Sequence, residues 1–131
     1  MSQLGGQKPF SLSARAASFG HALRGLLVLL REQHNARIHV GTTLLVLICG
    51  VLLELSRNEW IIVTLLIGWV LSMEAFNSAL EYLCDLVSRE EHPLITKAKD
   101  VAAAAVLLSA LTAAVIAMLI FIPKLLVIAG F

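Results

Sequence analysis

Hydrophobic residues along this chain gather into three long runs separated by short polar breaks. The runs cover residues 38–55, 60–86 and 101–122. Each is close to or above the roughly 20 residues of helix that cross a bilayer. The first break is only Ser56-Arg57-Asn58-Glu59, which predicts a tight helical hairpin. The second, residues 87–99, is longer and charged, and Pro93 within it predicts two separate helices there. Ahead of the first run, residues 13–37 follow a different pattern. Phe19, Leu23, Leu26, Leu27 and Leu30 share one helical face, with Arg24, Arg31 and Asn35 opposite. That apolar face is too short and interrupted to span, so it predicts an amphipathic helix lying on a membrane surface. Residues 1–12, rich in Gly, Gln and Ser, read as a flexible polar tail. The pattern predicts one domain over residues 1–131: an all-α membrane protein with a surface helix followed by three transmembrane helices.

Composition supports the same class. Hydrophobic residues make up 59% of the chain and charged residues only 15%, where a soluble domain carries about a quarter. The net charge of +1 gives no basic field for nucleic acid. Of ten Lys and Arg, eight lie in the N-terminal segment or the second break (Lys8, Arg15, Arg24, Arg31, Arg37, Arg89, Lys97 and Lys99). Only Arg57 and Lys124 lie on the other side. The positive-inside rule then places the N-terminus and the longer loop in the cytoplasm. Cys49 and Cys84 form no paired motif and read as small packed hydrophobes. No removable signal peptide is apparent at the N-terminus.

The second run carries what the composition does not explain. Glu74, Asn77, Ser78, Glu81 and Asp85 fall on one face at about 100° per residue, a polar stripe three turns long. Ionised groups at membrane depth cost roughly 2.5–3.5 kcal/mol on insertion scales, so they are rare and usually functional. Orientation puts the stripe in the cytoplasmic half of its helix. The third run opens on Lys99-Asp100 followed by alanines that permit close helix approach. A further patch, Arg31 to His39 with Glu32, Gln33, His34 and Asn35 between, leads into the first run. Glu54, Arg57, Glu59 and Lys124 read as solvated helix ends.

Carboxylates and a lysine at this interface suit a magnesium nucleotide. Mg²⁺ takes oxygen ligands and is commonly held by one or two carboxylates together with substrate phosphates. A lysine adds a point charge for those phosphates, and a further carboxylate can accept the proton of an attacking hydroxyl. No P-loop and no soluble-kinase signature occurs. Two other uses of the stripe stay open on the residues alone. One is a structural lock with Lys99 or Arg37; the other is a proton- or ion-conducting relay in a small non-enzymatic membrane protein.

Over roughly residues 14–120 the chain resembles the prokaryotic integral-membrane diacylglycerol kinases and their undecaprenol kinase relatives. The resemblance rests on Glu74-x-x-Asn77-Ser78-Ala79-x-Glu81-x-x-x-Asp85, a loop ending in His92, and Lys99-Asp100-x-x-Ala103-x-Ala105-Val106. It extends to Ser18-Phe19-x-His21-Ala22-x-x-Gly25 and Asn35-Ala36-Arg37-Ile38-His39. It implies a homotrimeric lipid kinase of the bacterial inner membrane, which moves the γ-phosphate of ATP to the hydroxyl of diacylglycerol or undecaprenol. By motif position Glu74 would be the general base, Asn77 would orient groups beside it, and Glu81 would coordinate Mg²⁺. Lys99, Asp100 and Asp85 would engage the nucleotide, together with Glu90, Glu91, His92 and His21. The family's second metal-binding glutamate falls at Gln33 here; either Gln33 offers a carbonyl oxygen in its place, or a shift of helix phase presents the neighbouring Glu32, which is the favoured ligand.

Overall fold

The computed structural model describes residues 11–88, 90 and 92–130. Four helices account for nearly all of them: α1 (Leu12–Glu32), α2 (His34–Leu52), α3 (Arg57–Val87) and α4 (Pro93–Ile128). The last three are long and apolar enough to cross a membrane. Arg89, Glu91 and residues 1–10, which include most of the expected tail, lie outside the described residues.

The helix ends follow from local chemistry. Ser11 caps α1 by accepting from the Ala14 N–H at 3.4 Å. Ser56 and Glu59 form a reciprocal capping box at the start of α3. The Ser56 side chain accepts from the Glu59 N–H, and a Glu59 oxygen accepts from the Ser56 N–H at 2.7 Å. Glu59 is therefore a helix cap rather than a plain solvated end. His92 caps α4, its Nδ1 accepting from the Leu94 N–H at 3.2 Å. Pro93 fills the first helical position, where a missing N–H costs nothing. Between α2 and α3 the chain reverses through Glu54, whose φ of 49° is left-handed.

Two boundaries differ from the pattern-based expectation. A single amphipathic helix over residues 13–37 would run unbroken through Gln33, which is neither Gly nor Pro. Instead the backbone is extended at Gln33, with φ −98° and ψ 116°, and α2 starts at His34. The Gln33 side chain there donates from Nε2 to the Tyr82 hydroxyl on α3 at 3.3 Å, a contact formed across the fold. The third apolar helix also outlasts its apolar run, continuing past Pro123 to Ile128.

Packing centres on α3, which lies chiefly against α4 and secondarily against α2, while α1 meets α2 more lightly. Ala102, Val106 and Ser109 on α4, spaced by four and three residues, are the buried face of that helix. Two ion pairs join α3 and α4 at opposite ends. Lys99 Nζ lies 2.6 Å from Asp85 Oδ1, and Lys124 Nζ lies 3.1 Å from Glu59 Oε2. The acids are 26 residues apart on α3 and the lysines 25 apart on α4, so the two helices run antiparallel and in step. Close approach occurs at Gly50, where an added Cβ would sit 2.8 Å from Trp60 Cη2. Large apolar side chains elsewhere face outward: Leu65 is 69% exposed, Trp69 56% and Leu119 70%. Such a surface suits hydrocarbon or further protein and not water.

Candidate active site

The polar stripe of α3 exists as one face, and its burial is graded along the helix. Glu74 is 1% exposed, Ser78 2% and Asn77 6%. One turn further Glu81 is half-buried, and Asp85 is exposed. The same face carries Val63 and Val70 toward the other end of α3, so the stripe replaces core-facing positions rather than lipid-facing ones. Period alone groups these residues on a face; their burial follows from where α2 and α4 cross that face.

Each acid faces a different group. Asn77 Nδ2 donates to Glu81 Oε1 at 2.9 Å, which fixes the carboxylate one turn along the helix. Asn77 Oδ1 is buried without a hydrogen-bond partner among the described residues, and so is Glu74 Oε2. His39 Nε2 on α2 lies 4.0 Å from that Glu74 oxygen. Ser78 turns its hydroxyl back to the Glu74 carbonyl at 2.9 Å, so it is occupied with its own helix. Glu74 and Glu81 do not pair with Lys99 or Arg37: Lys99 bonds Asp85.

Beyond the exposed end of the stripe, a polar cleft opens between the end of α3 and the start of α4. It is lined by Asp85, Ser88, Glu90, His92, Ile95, Thr96, Lys99 and Asp100. Five residues expected to meet nucleotide (Asp85, Glu90, His92, Lys99 and Asp100) are thereby brought together. Glu91 lies outside the described residues. His21 does not line this cleft; it is exposed on α1, where Arg24 Nη2 contacts its Nδ1 at 2.7 Å.

Glu32 and Gln33 approach α3 through one residue that the stripe did not include. The Tyr82 hydroxyl donates to Glu32 Oε2 at 3.0 Å and accepts from Gln33 Nε2 at 3.3 Å. Tyr82 follows Glu81 directly, so it ties the α1–α2 junction to the neighbourhood of the stripe. In the sequence Tyr82 is only an aromatic near the end of the second apolar run, which says nothing about a partner 50 residues away. Tyr82 also borders a largely apolar groove between α1 and α3 with Gly25, Leu29, Ala75, Ser78 and Ala79. A second apolar cleft, between α2, α3 and α4, runs from His39 past Thr42, Val46 and Val70.

No group of three or more His, Cys, Asp or Glu able to hold a metal occurs among the described residues. Any divalent ion here would draw part of its shell from elsewhere, as ions bound with phosphates do. Chemically, the helix face offers a sealed carboxylate, an amide-held carboxylate and a solvent-facing basic and acidic cleft in sequence. Such a face can meet a substrate within the membrane at one end and a soluble charged one at the other.

Similarity to characterised proteins agrees. An undecaprenol kinase of Bacillus subtilis is 46% identical over 108 residues, covering 82% of this chain and 88% of that protein. A diacylglycerol kinase of Synechocystis is 36% identical over 110 residues, 83% of this chain and 63% of that protein. A diacylglycerol kinase of Pseudomonas aeruginosa is 35% identical over 86 residues, 66% of this chain and 70% of that protein. Residues 20–121, which hold the whole stripe and cleft, match the family model for prokaryotic diacylglycerol kinase, and the chain belongs to that family.

Proposed function

We propose that this protein is an ATP-dependent lipid kinase of the bacterial inner membrane, acting on a lipid alcohol at the cytoplasmic interface. The observation that carries this reading is the continuity of one helix face, from buried Glu74 to the open cleft of Asp85, Lys99 and Asp100. A proton relay would need the buried acids but has no use for that cleft.

The spacing of the two ion pairs supports the depth of each part. At 1.5 Å per residue, the 26 residues between Glu59 and Asp85 span about 39 Å. A hydrocarbon core of about 30 Å fits between the pairs. Glu81 then lies about 6 Å from the Asp85 end, near the headgroups, and Glu74 about 16 Å from it, so the acceptor hydroxyl would enter below the headgroups to reach Glu74. The clustering of Lys and Arg supports the cytoplasmic placement of that end. The exposed apolar face of α1 suits a helix resting on the same surface.

In the reaction, the lipid hydroxyl oxygen bonds to the γ-phosphorus of ATP as the bond to the β–γ bridging oxygen breaks, releasing ADP. Glu74 takes the hydroxyl proton. Asn77 holds Glu81 in place and presents its unpartnered carbonyl beside it. Lys99 and Asp100, with Asp85, Glu90, Glu91, His92 and His21, bind the nucleotide. Most of the acceleration is positioning and charge stabilisation, because phosphoryl transfer asks little covalent work of the protein.

The donors present fit the Mg²⁺ that accompanies ATP. Glu81 is a hard carboxylate already oriented, with an oxygen left over from its bond to Asn77. Glu32 suits the second ligand better than Gln33, since Tyr82 orients its carboxylate and a charged carboxylate binds Mg²⁺ more strongly than the neutral Gln33 carbonyl. When bound, the ion offsets charge on the phosphates. Outward-facing apolar side chains also fit a homotrimer in which neighbouring subunits share sites.

The most similar of the three relatives described above favours undecaprenol as acceptor over diacylglycerol. Purified protein with γ-labelled ATP and each lipid in turn tests the proposal. Label is expected in undecaprenol in preference to diacylglycerol; label in neither lipid overturns the kinase reading.

A further inference from the structure

Glu74 is built into the fold with one oxygen sealed off. Its side chain is 1% exposed, and Oε2 has no hydrogen-bond partner among the described residues. A buried carboxylate oxygen left without a donor is costly, which makes the group facing it informative. Among the described residues one basic side chain comes within 4.0 Å of Glu74, and it is His39 through Nε2. The two sit on different packed helices, α2 and α3, so neither is carried by a loop. His39 is itself only 19% exposed and borders the apolar cleft beside Thr42, Thr43 and Val70.

We infer that His39 is a positioning residue for Glu74, donating Nε2–H to the sealed Oε2 and leaving the other oxygen for the substrate proton. The inference rests on the reading of Glu74 as general base. A separation of 4.0 Å exceeds a direct hydrogen bond by about 1 Å, and catalytic hydrogen bonds are commonly long before substrate binds. A base held in one rotamer keeps its free oxygen within reach of the hydroxyl. A carboxylate free to swing spends part of its time elsewhere, and the loss appears in turnover rather than in binding. His39 touches no reacting atom in this scheme. It acts through Glu74 alone.

Three replacements at this position separate the donor from the ring. The amide nitrogen of Gln reaches about as far as Nε2, that of Asn only as far as Nδ1, and Leu has no donor. The assay uses the full-length protein with undecaprenol and γ-labelled ATP. His39→Leu and His39→Asn are expected to lower kcat roughly 10- to 100-fold, with both KM values within about twofold. His39→Gln is expected to retain kcat within about threefold. Full kcat in His39→Asn overturns the inference, as does a loss in His39→Gln equal to that in His39→Asn. If His39→Leu fails to fold, the Asn and Gln pair decides alone. A Glu74→Gln background separates this inference from the reading beneath it. Should Glu74→Gln keep full kcat, the base assignment falls and takes the role of His39 with it. Should Glu74→Gln lose kcat and His39→Asn lower it further by the same factor as in the native protein, the base stands and the role of His39 falls. No additional loss in the double variant supports the coupling.

Discussion

Lys99 Nζ donates to Asp85 Oδ1 at 2.6 Å, joining the second turn of α4 to the last turn of α3 at the mouth of the polar cleft. The bond uses one of three ammonium donors and leaves two for a phosphate. The exposed acid at the end of the stripe is thus paired with a cation from the facing helix.

Replacing that cation should affect nucleotide binding more than folding. Lys99→Gln is expected to raise the KM for ATP about tenfold, because a charge-assisted bond to phosphate is lost. The melting temperature should change by only about a few degrees, since solvent-facing pairs contribute little to stability. Steady-state kinetics and thermal unfolding in detergent check the two halves. A large drop in melting temperature with an unchanged KM would make the pair a structural clamp.

Glu81→Gln keeps the shape of the side chain and removes its charge. Asn77 Nδ2 can still bond the amide oxygen, so the helix face should persist. The half-saturating Mg²⁺ concentration is expected to rise roughly 10-fold or more. Titrating activity with Mg²⁺ at fixed ATP measures it; an unchanged midpoint would remove Glu81 from the metal site.

Tyr82→Phe deletes both bonds that tie the α1–α2 junction to α3. The exposed setting keeps the stability loss near 1 kcal/mol. The clearer effects should be local. Amide exchange around Gln33 should accelerate, and the Mg²⁺ midpoint should rise if Glu32 depends on Tyr82 for its orientation. Exchange rates equal to those of the native protein would show that the junction holds without the tyrosine.

Gly50→Ala sets two effects against each other. Alanine gains about 1 kcal/mol of helix propensity over glycine. Its Cβ, however, would lie 2.8 Å from Trp60 Cη2 and 3.1 Å from Cζ2, and a rigid indole cannot yield like the tip of a flexible chain. Overpacking of this kind costs about 1–3 kcal/mol, so net destabilisation is expected. Thermal unfolding checks the sign, and Trp60→Leu in the same chain should restore the loss.

The alternation of apolar runs and charged breaks, read alone, predicted three long apolar helices, and the structure contains them. The 3.6-residue period also placed Glu74, Asn77, Ser78, Glu81 and Asp85 on one face without knowledge of any neighbour. Those properties are local, because side-chain direction and backbone hydrogen bonding in a helix depend on residues a few positions away. The same locality explains what was missed at Gln33. No residue there breaks a helix by itself, and the interruption accompanies a hydrogen bond to Tyr82, 49 residues along the chain.

Partnership belongs to the tertiary structure. His39 facing Glu74, Tyr82 holding Glu32, Lys99 meeting Asp85 and Lys124 meeting Glu59 all depend on the offset and rotation of one helix against another. A periodic pattern carries no information about either quantity. Asp85 shares a face with Glu74 yet is exposed where Glu74 is sealed, because the packing helices cover one end of that face and leave the other open. The sequence by itself determined which side chains stand together on α3. Only the packing of α2 and α4 decided which of them is withdrawn from water and what each one touches.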